Sequence, residues 1–187
     1  KADLIERRLD FELRPYQKTA WETLKEYSNI GCFFPPSTGK TIVILYADTH
    51  IKPPHLVGVR TLLLKEQWRD RIEAHTDLKL GDNNDPKVGD EIFVMTYHEI
   101  IRKSPAILKK LGVEKWQVKA IDEVQHWPSD WFSKMAFVPS RYTIGASATP
   151  YREDGREEYI FALTGVAVGM AWDEFKKAGI IRSPDCN

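Results

Sequence analysis

Cysteine is nearly absent: Cys32 and Cys186 are the two in the whole chain. Two thiols so far apart make no disulfide framework, so a reducing cytosol is the expected setting. An excess of either charge is lacking too, because 27 Lys and Arg stand against 27 Asp and Glu. A uniformly basic nucleic-acid binder is thereby unsupported, while a local basic groove stays open. No apolar run approaches the ~18 residues of a membrane helix, and none near the N-terminus resembles a secretory leader. The expectation is a soluble protein with no membrane partner, in the cytoplasm of a prokaryote or archaeon or the nucleus of a eukaryote. Repeats and low-complexity tracts are missing as well. The 187 residues suffice for one domain with a substantial core.

What is present is a pair of motifs. Residues 36–41 read Pro-Ser-Thr-Gly-Lys-Thr and residues 122–126 read Asp-Glu-Val-Gln-His. The first follows an apolar run, Ile30–Phe34, and opens a helix expected from Lys40 to about Thr49. Backbone N–H groups of Ser37, Thr38 and Gly39 would cradle phosphates, Lys40 would neutralise them, and the Thr41 hydroxyl would reach magnesium. The helix directs its positive end at the same anion. One departure stands out. The pattern G-x-x-x-x-G-K-[ST] calls for glycine where this chain has Phe34, and Ser37 replaces a glycine common in such loops.

The second motif ends the apolar segment Trp116–Ile121, expected as a strand. Two carboxylates at the end of a buried strand are costly unless a cation sits with them. Asp122 would hold magnesium and Glu123 would orient the attacking water. His126 is read either as a structural histidine or as a coupling residue. Gln17 lies in Leu-Arg-Pro-Tyr-Gln at residues 13–17. Its amide can pair with an adenine edge, with Arg14 beside it, or it is a surface residue of a helix running from Pro15 to about Tyr27. The junctions at Lys65–Trp68 and Thr96–His98 are read as possible phosphate contacts or as ordinary strand-to-helix turns.

Other segments complete the pattern. A strand is expected at Thr61–Leu64 and a helix from Lys65 to about His75. Leu78–Leu80 and Glu91–Thr96 flank the turn-rich stretch 81–86. A short helix is expected at Trp131–Phe137 and strands at Tyr142–Ala146 and Gly165–Val168, followed by a helix near Trp172–Lys177. Apolar runs alternating with helices predict an α/β fold, a mostly parallel sheet with helices on both faces.

The order Leu-Arg-Pro-Tyr-Gln, Ser-Thr-Gly-Lys-Thr, Leu-Leu-Lys-Glu-Gln-Trp, Val-Met-Thr-Tyr, Asp-Glu-Val-Gln-His, Ser-Ala-Thr-Pro resembles the first RecA-like lobe of superfamily 2 helicases, a P-loop domain. Arg152-Glu153-Asp154, just after Ser-Ala-Thr-Pro, is similar to the Arg-Glu-Asp motif of XPB-type DNA helicases. The resemblance implies ATP and magnesium as cofactors and DNA as partner. It assigns Gln17 to adenine, Lys40, Asp122 and Glu123 to hydrolysis, Ser147 and Thr149 to coupling, and Arg152, Glu153 and Asp154 to the DNA strands. It also implies a second RecA-like lobe with an arginine finger, and repair, transcription or nuclease partners. Residues 1–154 would be the ATP-binding lobe and 155–187 an extension that packs on it or leads to the second lobe. Alone, such a lobe would hydrolyse ATP weakly. Two alternatives are a restriction-type or other superfamily 2 translocase, and a non-catalytic docking module whose contacts are the aromatics around Trp127 and Trp131.

Overall fold

Helix α1, Pro15–Tyr27, begins with a proline whose missing N–H has no partner to lose at a first turn. It ends at Ser28, which is left-handed and returns its N–H to the Leu24 carbonyl. The computed structural model describes residues 4–35, 37–148 and 163–169. From α1 the chain enters β1 (Asn29–Phe33), α2 (Lys40–His50), β2 (His55–Val59), α3 (Leu62–His75) and β3 (Ile92–Thr96). It continues through α4 (Tyr97–Leu111), β4 (Trp116–Ile121), a 3-10 turn at Val124–His126, α5 (Ser129–Ala136), β5 (Ser140–Ser147) and β6 (Val166–Val168).

The strands form one sheet in the order β3-β2-β4-β5-β1-β6, and every pairing is parallel. Alternate side chains divide between two cores, as the two-residue period of a strand requires. Val57, Val59, Ile92 and Val94 pack with Ala20 and Leu24 of α1, Ile44 of α2 and Trp68 of α3. Leu56, Phe93 and Met95 pack with Ile100 and Ile107 of α4 and Phe132 of α5. Helices therefore cover both faces, which is the α/β architecture expected. β6 pairs with β1 through Val166–Val168, so this part of the segment after residue 154 belongs to the sheet.

Most expected elements form, several with shifted ends. The strand expected at 61–64 does not. Thr61 caps a helix there, its hydroxyl accepting the Leu64 N–H at 3.2 Å, and Leu62 and Leu63 are each 69% exposed. A buried strand could not leave them in water. The strand lies earlier, at His55–Val59, where His55 and Gly58 interrupt the apolar run. The short helix lies at Ser129–Ala136, two residues before its expected start. Helix α4, not foreseen beyond its junction, runs 15 residues with Pro105 inside it. The helix expected near Trp172–Lys177 lies outside the described residues.

Candidate nucleotide site

In a parallel sheet every strand delivers its following loop to the same edge. β1 leads into the phosphate loop and β4 into Asp122 and Glu123. β5, which lies between those two strands, ends at Ser147, in register with Phe33 of β1. An open cleft of about 960 Å³ lies at this edge, lined by Ser37, Gly39, Lys40, Thr41, Asp122, Glu123, His126 and Ala148. The two motifs, 81 residues apart from Thr41 to Asp122, thus face one space.

The loop backbone is held from behind by α1. The Tyr16 hydroxyl donates to the Thr38 carbonyl, and Gln17 Nε2 donates to the Gly39 carbonyl at 3.1 Å. Gln17 Oε1 accepts the Arg14 N–H at 2.7 Å. Gln17 is 1% exposed, so the surface reading of this residue is overturned. Arg14 takes part through its main chain, and its side chain faces solvent. Gly39 is left-handed at φ 89°, and a Cβ there would lie 2.3 Å from Gln17 Nε2. Ser37 is also left-handed, at φ 61°. The glycine-like conformation that the loop needs is therefore taken by a serine at a steric cost.

Lys40 Nζ donates to the Phe34 carbonyl at 3.0 Å. Burial lowers its pKa, while Glu123 and Asp122 act in the opposite direction. Thr41 Oγ accepts from Arg71 of α3 at 3.3 Å. Sequence reasoning missed Arg71. The signal was its spacing: Gln67, Arg71 and His75 fall four apart on α3 and all line the cleft, while Trp68 and Ile72 between them enter the core.

Asp122 is 9% exposed and tied on three sides. Trp68 Nε1 donates to Oδ2 at 2.8 Å, the Glu123 N–H donates to Oδ1 at 3.0 Å, and Trp127 Nε1 donates to the Asp122 carbonyl at 2.9 Å. Burial raises the carboxyl above its ordinary range, the Trp68 hydrogen bond opposes this, and the Glu123 charge adds to it. Glu123 is left-handed at φ 49°, which turns the chain at the strand's end; Gln125 Nε2 donates to its carboxylate at 2.8 Å. Trp127 is 1% exposed, so it is no surface contact, contrary to the docking expectation. Gly58 of β2 makes room for it, since a Cβ there would lie 3.0 Å from the indole.

The donor set suits a magnesium nucleotide. Magnesium takes one or two protein oxygens and completes its shell with phosphates and water. Thr41 and Asp122 border the same cleft. His126 is exposed at its rim; Ser147 is fully buried and does not line the cleft, although Ala148 after it does. Thr149, Arg152, Glu153 and Asp154 lie outside the described residues. Among the described residues no helix is long and apolar enough to cross a membrane.

Comparison with known proteins agrees with this geometry. The family model of the type III restriction enzyme res subunit matches residues 10–152. The chain is 36% identical over 162 residues to the DNA 3'-5' translocase XPB2 of Sulfurisphaera tokodaii, covering 84% of the chain and 35% of that protein. It is 28% identical over 182 residues to the DNA 3'-5' helicase XPB of Kineococcus radiotolerans, covering 93% of the chain and 33% of that protein. The chain thus spans about a third of these curated relatives. The crystal structure of the Pyrococcus furiosus Hef helicase domain superposes with a TM-score of 0.72 at 15% identity, over 94% of the chain and 43% of that domain. At that identity the likeness establishes the RecA-like fold alone.

Proposed function

The chain belongs to the family of the type III restriction enzyme res subunit, and from that membership we propose that it is the ATP-binding lobe of an ATP-driven DNA helicase or translocase of the XPB kind. The observation that carries the proposal is the meeting of Lys40 and Thr41 with Asp122 and Glu123 across one cleft. The names of the relatives, 3'-5' motors on DNA, support the XPB kind over the restriction kind.

When bound, magnesium–ATP supplies the phosphoryl bond whose hydrolysis drives the motor. Lys40, now bonded to the Phe34 carbonyl, would hold the phosphates, and Thr41, now bonded to Arg71, would supply a hydroxyl to the cation. Asp122 would hold that cation, whose charge would compensate its own in the buried strand end. Glu123 orients the attacking water. Gln17 keeps one amide proton and one lone pair beyond its contacts with the Gly39 carbonyl and the Arg14 N–H, enough for an adenine edge. His126, Ser147 and Thr149 relay nucleotide state, and Arg152, Glu153 and Asp154 meet the DNA. A second RecA-like lobe supplies an arginine finger, an element worth ~10³-fold or more in turnover. Repair or transcription proteins, or a nuclease, are the fitting partners.

Calorimetric titration with magnesium–ADP and a non-hydrolysable ATP analogue, beside Lys40→Ala, tests the reading. Binding by the parent chain and its loss in the variant are expected. A parent that binds neither, or a variant that binds as well as the parent, would reject it.

A further inference from the structure

We propose that Tyr97, His98 and Trp131 form a stacking site for the bases of single-stranded nucleic acid, an inference that rests on the DNA-motor reading above. Helix α4 starts at Tyr97 directly after β3, and α5 starts at Ser129 just past β4 and the 3-10 turn. Both starts lie at the sheet edge that carries the nucleotide cleft. The three rings touch one another there. Tyr97 and His98 have centroids 4.3 Å apart, Tyr97 and Trp131 4.9 Å, and His98 and Trp131 4.8 Å.

Their exposure separates them from the core. Trp21, Trp68, Trp116 and Trp127 are all buried, and among the described residues Trp131 is the one tryptophan that is not. His98 is exposed and Tyr97 half-buried. The surrounding charge suits a polyanion. Lys134 Nζ stands 4.2 Å over the Trp131 ring, and Arg102 is exposed one turn along α4 from His98. The acidic neighbours in the chain are Asp130 and Glu99, and Glu99 is paired with Lys65 and Lys103. Aromatic faces beside cations are the combination that holds single strands without regard to sequence, because every base has a π-face.

The site is also one side chain away from the nucleotide machinery. Tyr97 lies 5.4 Å from Trp127, ring to ring, and the Trp127 indole donates to the Asp122 carbonyl. A base seated on Tyr97 would press on the residue that positions the cation-holding strand end.

The test measures binding of fluorescein-labelled oligothymidylate and of an abasic strand of equal length to the 187-residue chain, to Trp131→Ala and to Trp131→Phe. The parent is expected to prefer the base-bearing strand about tenfold. Trp131→Ala should reduce that strand to the abasic level and leave abasic binding unchanged, and Trp131→Phe should keep most of the preference. Thermal melting confirms that each variant is folded. Equal binding of both strands by the parent, or a preference that survives Trp131→Ala, overturns the site while leaving the DNA reading intact. Binding of neither strand overturns both.

Discussion

The indole N–H of Trp68 donates to Oδ2 of Asp122 at 2.8 Å, joining the inner face of α3 to the end of β4. The bond lowers the pKa of a carboxyl that burial raises. A carboxyl raised in the folded state contributes stability that is full below its unfolded value and is lost as pH rises through the folded one. Trp68→Phe removes the donor, keeps most of the ring, and raises the carboxyl further. The variant should therefore lose about 2 kcal/mol near neutral pH and less in acid, where Asp122 is protonated. Urea denaturation at several pH values reads this out. An equal loss at every pH would mean that only packing was removed.

Gln17 has two candidate jobs, bracing the loop and reading adenine, and nucleotide competition separates them. Gln17→Ala should weaken ATP about tenfold and abolish its preference over GTP. If ATP and GTP weaken together and the preference stays, Gln17 is a brace alone.

Ser37 holds a left-handed backbone at φ 61°. That conformation costs a non-glycine residue ~1–2 kcal/mol, while glycine's extra freedom in the unfolded chain costs ~0.5–1 kcal/mol. Ser37→Gly should then stabilise the chain by up to about 1 kcal/mol and leave nucleotide affinity undiminished. A lower denaturation midpoint, or weaker nucleotide binding, would show that the serine hydroxyl has a role of its own.

Asp48 and His55 are fully buried, with Oδ1 and Nδ1 3.6 Å apart. Burial pushes the imidazole down to about 3 and the carboxyl well up. The histidine contributes stability above its unfolded value of about 6.5 and loses it as pH falls toward the folded one, by up to ~1.4 kcal/mol per pH unit. The aspartate works in the opposite sense, its contribution returning as pH falls toward the unfolded carboxyl value of about 3.9. The two offset each other in acid. Asp48→Asn removes the offset, so its stability should fall more steeply than the parent's as pH drops below ~6.5. Parallel profiles for the two proteins would contradict this.

The readability of the sequence followed the chemistry of each segment. Trp116–Ile121 sets Trp116, Val118, Ala120 and Ile121 around Gln117 and Lys119 and is closed by two carboxylates, and both its bounds are found in the structure. Leu62-Leu63-Leu64 is apolar too, yet it is helical, because a short apolar run has no period that separates strand from helix. The arbiter was Thr61, whose cap becomes visible only with its Leu64 N–H partner. β2 was hidden by His55, which is fully buried, and by Gly58, which leaves space for Trp127. In the site, the loop lysine and the two carboxylates were legible as motifs. The residues that hold them were not. Trp68 meets Asp122 across 54 positions, and Tyr16 meets Thr38 across 22. Such partners are set by the path of the sheet, which no local pattern encodes.

Strand β1 has a consequence for synthesis. It spans residues 29–33, yet its two neighbours are β5, residues 140–147, and β6, residues 166–168. Pairings so distant form late and slowly, because a long loop must close before any contact rewards it. During translation β1 emerges more than a hundred residues ahead of either partner, with its backbone groups unpaired in the interval. The element that carries the phosphate loop is therefore made well before the strands that complete it. A nascent chain released before β5 emerges would carry the whole phosphate-loop motif and have no strand for β1 to pair with.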